Sequence, residues 1–111
     1  MKTKTNINPG VCNFETEVTA STEDSQNVTF EFNSECETIK AFAKKVADIS
    51  PVNAIMTLGP EENPVLLEGR KLLQVKGCCD ACIVPACAVK VMQVSAGLAL
   101  PKDASFTIIQ E

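Results

Sequence analysis

Six cysteines carry the clearest chemistry in this chain: Cys12, Cys36, Cys78, Cys79, Cys82 and Cys87. Four of them crowd into Lys76-Gly77-Cys78-Cys79-Asp80-Ala81-Cys82-Ile83-Val84-Pro85-Ala86-Cys87. Within that stretch Cys79-Asp80-Ala81-Cys82 has the two-residue spacing that lets a turn present both sulfurs to one ion or close them into a disulfide. Pro85 suits the first turn of a helix, and the apolar run after it continues as far as Gly97. Cys82 then stands at a helix N-terminus, where unpaired N–H groups and the helix dipole favour a thiolate, the form that binds metals and acts as a nucleophile. Cys87 shares a helical stripe with Val91, Val94 and Leu98 and reads as a small buried hydrophobe.

The elements that must position these thiols can be read from periodicity. Residues 11–20 alternate, with Cys12, Phe14, Thr16 and Val18 on the inward side, and residues 27–33 alternate again around Val28, Phe30 and Phe32; a polar turn joins them into an antiparallel hairpin. Ser34-Glu35-Cys36-Glu37 has the form of a capping box, opening a helix with Ile39, Phe42, Ala43 and Val46 at core spacing until Ser50-Pro51. Cys36 is thus a second thiol at a helix start. Residues 52–59 are too short to separate a helical turn from a strand. Asn63-Pro64 opens a further helix through Leu72 and Leu73, weakened by Gly69 at about 1 kcal/mol. Residues 104–110 close the chain as a strand with Phe106 and Ile108 on one face.

The predicted fold is α+β in the order ββαααβ: a three-stranded antiparallel sheet, made of the hairpin and the C-terminal strand, with three helices on one face. Residues 1–10 form a flexible head and residues 11–111 a single domain. Phe14, Val18, Phe30, Phe32, Ile39, Phe42, Val46, Met92, Phe106 and Ile108 are the expected core. Because the first strand begins where its partner ends, Cys12 and Cys36 fall at one edge of the sheet. The last helix must return its far end to the sheet, which brings Cys82 to the same neighbourhood, with Cys79 as fourth member and Cys78 its substitute. Cys36 and Cys82 should be the most acidic thiols.

Composition excludes several functions. A net charge of -4 without a basic block argues against nucleic acid as partner. Histidine is absent, so histidine-activated nucleophiles are excluded and a zinc site must be built from sulfur and carboxylate. With 111 residues the chain buries a core without disulfide staples. Neither a secretory signal nor a membrane-spanning run is expected, which points to a cytoplasmic, thiol-reducing setting, where clustered cysteines bind metals or do redox work. A protein partner or a second copy of the chain remains the open choice of partner.

Asn8-Pro9-Gly10-Val11-Cys12, Ser34-Glu35-Cys36, Cys82-Ile83-Val84-Pro85 and Gly97-Leu98-Ala99-Leu100-Pro101 together resemble a family of small prokaryotic proteins of uncharacterised function, across nearly the whole chain. That resemblance implies that Cys12, Cys36 and Cys82 are the shared positions and Cys78, Cys79 and Cys87 additions of this sequence. A local resemblance links Cys79-Asp80-Ala81-Cys82 and the helix from Pro85 to the cluster-carrying domain of iron–sulfur scaffold proteins of the NifU type, although Ile83-Val84 intervene here where the scaffold has proline directly after its second cysteine.

The expected function is a cysteine-cluster domain binding zinc or an iron–sulfur cluster through Cys12, Cys36, Cys79 and Cys82. Thiolates packed together repel one another unless a cation neutralises them. The competing reading is a metal-free redox protein cycling Cys79 and Cys82 between dithiol and disulfide, without the βαβ frame usual for such a pair. In the third, the cysteines simply pack.

Overall fold

A computed structural model of the chain describes residues 1–74 and 77–111. Strands β1 (Lys2–Ile7), β2 (Thr16–Thr22) and β3 (Asn27–Ser34) precede helix α1 (Glu37–Ile49); a two-residue strand β4 (Val52–Asn53), α2 (Pro64–Leu73) and α3 (Val84–Ser95) follow. Single 3₁₀ turns occupy Met56–Leu58 and Cys78–Ala81. The protein is α+β, with one antiparallel sheet in the order β1-β2-β3-β4 and three α-helices.

Pleating puts Thr5, Val18 and Phe32 side by side across the sheet, as it does Thr3, Ala20 and Phe30. Helix α3 packs on β1 and β2, α1 packs on β3, and α2 packs against both helices. Val18, Ile39, Phe42, Val46 and Met92 are buried as expected, each contributing about 1.5–3 kcal/mol by area. Phe32 meets Phe42 edge to face, with ring centroids 5.4 Å apart, and both Phe30 and Phe32 are half-buried against this core.

Four expectations are corrected. Residues 1–10 are not a loose head, because Lys2–Ile7 pairs along its whole length with β2. The first hairpin strand starts at Thr16 rather than at Val11, since Gly10 at φ 93° and Asn13 at φ 59° turn the chain sharply just before it. Cys12 therefore lies in a loop, and Phe14 is 46% exposed instead of in the core. Residues 104–110 form no strand: Phe106 is 72% and Ile108 85% exposed, and the sheet gains its further strands from β1 and β4. Finally, Cys78–Ser95 is long and apolar enough by composition to cross a membrane, where no such run was expected. Its apolarity serves the core, as Val84, Pro85, Ala88, Val89, Val91 and Met92 are buried. The 12 residues of α3 rise about 18 Å, against a hydrocarbon thickness of about 30 Å.

Helix boundaries have local causes. Asn63 caps α2 by accepting from the Val65 and Leu66 N–H groups at 2.9 and 3.4 Å. Gly69 lies where α2 crosses α3: a Cβ there would meet the Pro85 ring at 2.7 Å. Gly97, at φ 78°, ends α3 with paired bonds from its own N–H to the Val94 carbonyl and from Leu98 N–H to Gln93.

Candidate metal centre

All six cysteines are free thiols. Cys12 occupies the third position of a β-turn, closed by the Asn13 N–H donating to the Gly10 carbonyl at 3.0 Å. Asn8 supports this turn by accepting from the Gly10 N–H at 3.0 Å. Cys36 is the N-cap residue of α1, not part of its first turn. The expected capping box gives way to another device: Ser34 is the last residue of β3 and its hydroxyl accepts from the Cys36 N–H at 3.2 Å. The buried Thr16 hydroxyl stands 2.9 Å from that of Ser34, so the beginning of β2 fixes the thiol at the end of β3. The sequence offered a signal for this pair only in the alternation that turns Thr16 inward.

Cys78 and Cys79 lie on the 3₁₀ turn Cys78–Ala81. Its C-cap Cys82 donates its N–H to the Cys79 carbonyl at 3.2 Å, holding both ends of the CxxC on one turn. Gly77 enters the turn at φ 103°, a conformation that favours glycine. Cys82 immediately precedes α3, whose first residues Val84 and Pro85 are buried. Cys87 is half-buried against the core on the first turns of α3.

The electrostatics tie these places together. Burial pushes the Cys82 thiol up, and the charges that Cys12, Cys36 and Cys79 would carry push it further; the Val84 N–H at the head of α3 pulls the other way and is outweighed. Burial likewise raises Cys79, reinforced by Cys78, Cys36 and Cys12. The charges of Cys12 and Cys36, which stand before β2 and after β3, thus bear on both members of the CxxC. Among the described residues, however, no three cysteine or carboxylate side chains are close enough together to hold an ion as they stand. The expectation that Cys82 is an acidic thiol is corrected: desolvation and like charge exceed the helix N-terminal effect. Cys87 is raised by burial, with Lys90 opposing, as befits a packed thiol.

What the arrangement can do follows from charge. Protonated, the thiols coexist; deprotonated, they repel, and a cation entering among them would remove that repulsion. Two of the four stand on turns outside regular structure, Cys12 before β2 and Cys79 before α3, while Cys36 is fixed by Ser34.

Comparison with curated proteins and with solved structures returned no match. The profile of a family of unknown function (DUF6951) matches residues 3–108, from β1 through α3 to the exposed C-terminal segment, and the chain belongs to that family.

Proposed function

We propose that this protein is a small metal-binding domain in which Cys12, Cys36, Cys79 and Cys82 take up zinc or an iron–sulfur cluster. The observation that supports the reading is that burial, and beyond it the charges of Cys12 and Cys36 from two other stretches of the chain, raise both Cys79 and Cys82. An all-sulfur donor set suits zinc and iron–sulfur chemistry and suits magnesium or calcium poorly. Loading draws in the turns carrying Cys12 and Cys79 toward Cys36 and Cys82 and expels the thiol protons. The iron–sulfur option rests on the resemblance of the CxxC and α3 to NifU-type scaffolds, and a prokaryotic cytoplasm would keep the six thiols reduced.

The redox alternative fares worse on the same observation, since a dithiol whose members are both raised offers little thiolate at neutral pH. Elemental analysis and an absorption spectrum of anaerobically purified protein test the proposal. Stoichiometric zinc, or iron with sulfide and a charge-transfer band, is expected, and Cys36→Ser should lose it. A metal-free protein that takes up neither zinc nor a reconstituted cluster overturns the proposal.

A further inference from the structure

Two unpartnered features of this chain are complementary. The first is the segment 104–110, Ala104-Ser105-Phe106-Thr107-Ile108-Ile109-Gln110, which alternates like a strand and carries Phe106, Ile108 and Ile109 at 72%, 85% and 77% exposure. All the buried core residues lie before Gly97. The second is the outer edge of β3. Strand β4 covers that edge at Asn27 and Val28 alone. The Ala54 N–H donates to the Gln26 carbonyl at 2.7 Å, which fixes the parity: Gln26, Val28 and then Phe30 and Phe32 direct their backbone groups outward. Beyond Val28 the edge therefore offers the N–H and C=O groups of Phe30 and Phe32 to a further strand. Beside it a groove of about 320 Å³ runs between β3 and α1, lined by Phe32, Ile39, Lys40 and Ala43.

The other edge of the sheet is defended. Strand β1 has Lys2 and Lys4 exposed along it, and edge lysines discourage strand addition. Strand β3 has no lysine, and its inward residues Phe30 and Phe32 remain half-exposed.

We propose that residues 104–110 of one chain add as a strand to the open edge of β3 in a second copy, with Phe106 and Ile108 over the groove between β3 and α1. The occupant comes from a second copy because the chain's own tail, leaving α3 on the β1–β2 side of the sheet, stays exposed and unpaired and does not turn onto its own β3 edge. In a second molecule that edge can be approached freely. Reciprocal exchange closes the pair as a symmetric dimer in which each chain donates one strand and accepts one.

Sedimentation equilibrium of the full chain should give twice the 11.9 kDa chain mass. A chain ending at Pro101 should be a folded monomer by circular dichroism and should bind a synthetic peptide of residues 102–111. Ala43→Arg, which fills the groove from the surface of α1, should make the full chain monomeric and abolish peptide binding to the shortened chain. A monomeric full chain, a dimer that survives truncation, or a dimer unaffected by Ala43→Arg each overturns the proposal; peptide binding by the shortened chain alongside a monomeric full chain would assign the edge to the chain's own tail.

Discussion

The two ends of the sheet are built on opposite terms. At the β2–β3 turn, Asp24 accepts from the Asn27 and Gln26 N–H groups, the Asn27 amide and the Thr22 hydroxyl at 2.8 to 3.1 Å, and these bonds hold its carboxyl well below the usual range. All four of these donors lie within three residues of Asp24. At the other end α1 and α3 both begin without a side-chain cap, and burial, with the charges of other thiols adding to it, raises Cys79 and Cys82. The comparison teaches where an added ligand has something to gain: the Asp24 carboxylate has its donors in its own turn, whereas the thiols at the cysteine end repel once deprotonated, a repulsion that a proton or a cation removes.

The largest expected effect lies at the cysteine end. Zinc at a thousandfold excess over its Kd should stabilise the folded chain by about 4 kcal/mol, read as a shift in the urea midpoint. Cys36→Ser should remove most of that increment, and Asp24→Asn should leave it intact. An equal loss in both variants would mean that the two ends are not independent.

Next comes Gly69, which sets how closely α2 approaches the head of α3. Glycine to alanine inside a helix ordinarily stabilises by about 0.5–1 kcal/mol. Here the new methyl would press on the Pro85 ring, with Phe42 3.4 Å away, and overpacking of this kind costs about 1–3 kcal/mol. The clash should win, so Gly69→Ala lowers stability, and by displacing Pro85 it should weaken zinc binding as well. A stabilised variant would show that α2 and α3 separate freely.

Much of the frame was legible because periodicity and caps are local. Ile39, Phe42 and Val46 mark α1, Asn63-Pro64 starts α2, and Gly97 ends α3, all as the sequence indicates. Gly69 was legible only as a weakness of its helix, since its contact with Pro85 is sixteen residues distant and tertiary. The same limit applies to β1: Lys2-Thr3-Lys4-Thr5-Asn6 is polar on both faces, and its strand exists through pairing with β2. In residues 104–110 the alternation is real and the partner strand is absent, so propensity alone misplaced them in the sheet. The spacing of the cysteines indicated the CxxC that one turn carries. It was silent on Thr16 and Ser34, whose hydroxyls position Cys36, and it overstated the acidity of Cys82 by counting the helix terminus without the burial.

The smallest effects, and the ones that separate the two ends by sign, come from pH. Cys79, Cys82 and Cys87 have folded-state values above the ordinary thiol value, so the folded metal-free chain keeps protons that the unfolded chain releases. The stability tied to them is complete below that ordinary value and is lost as pH rises through the raised ones. Asp24 has the reverse sign: its contribution is present above the unfolded carboxylate value of about 3.9 and is lost as pH falls. Urea midpoints of the metal-free protein should therefore decline at both extremes. Asp24→Asn should flatten the acid arm alone, and Cys82→Ala should reduce the alkaline arm alone, leaving the shares of Cys79 and Cys87. Saturating zinc should remove the share of the alkaline decline that belongs to Cys79 and Cys82, because metal-bound thiolates have already lost their protons, and leave that of Cys87, while the acid arm deepens as protons compete for the ligands. An alkaline arm that zinc leaves unchanged would place the raised thiols away from the ion and return Cys79 and Cys82 to simple packing.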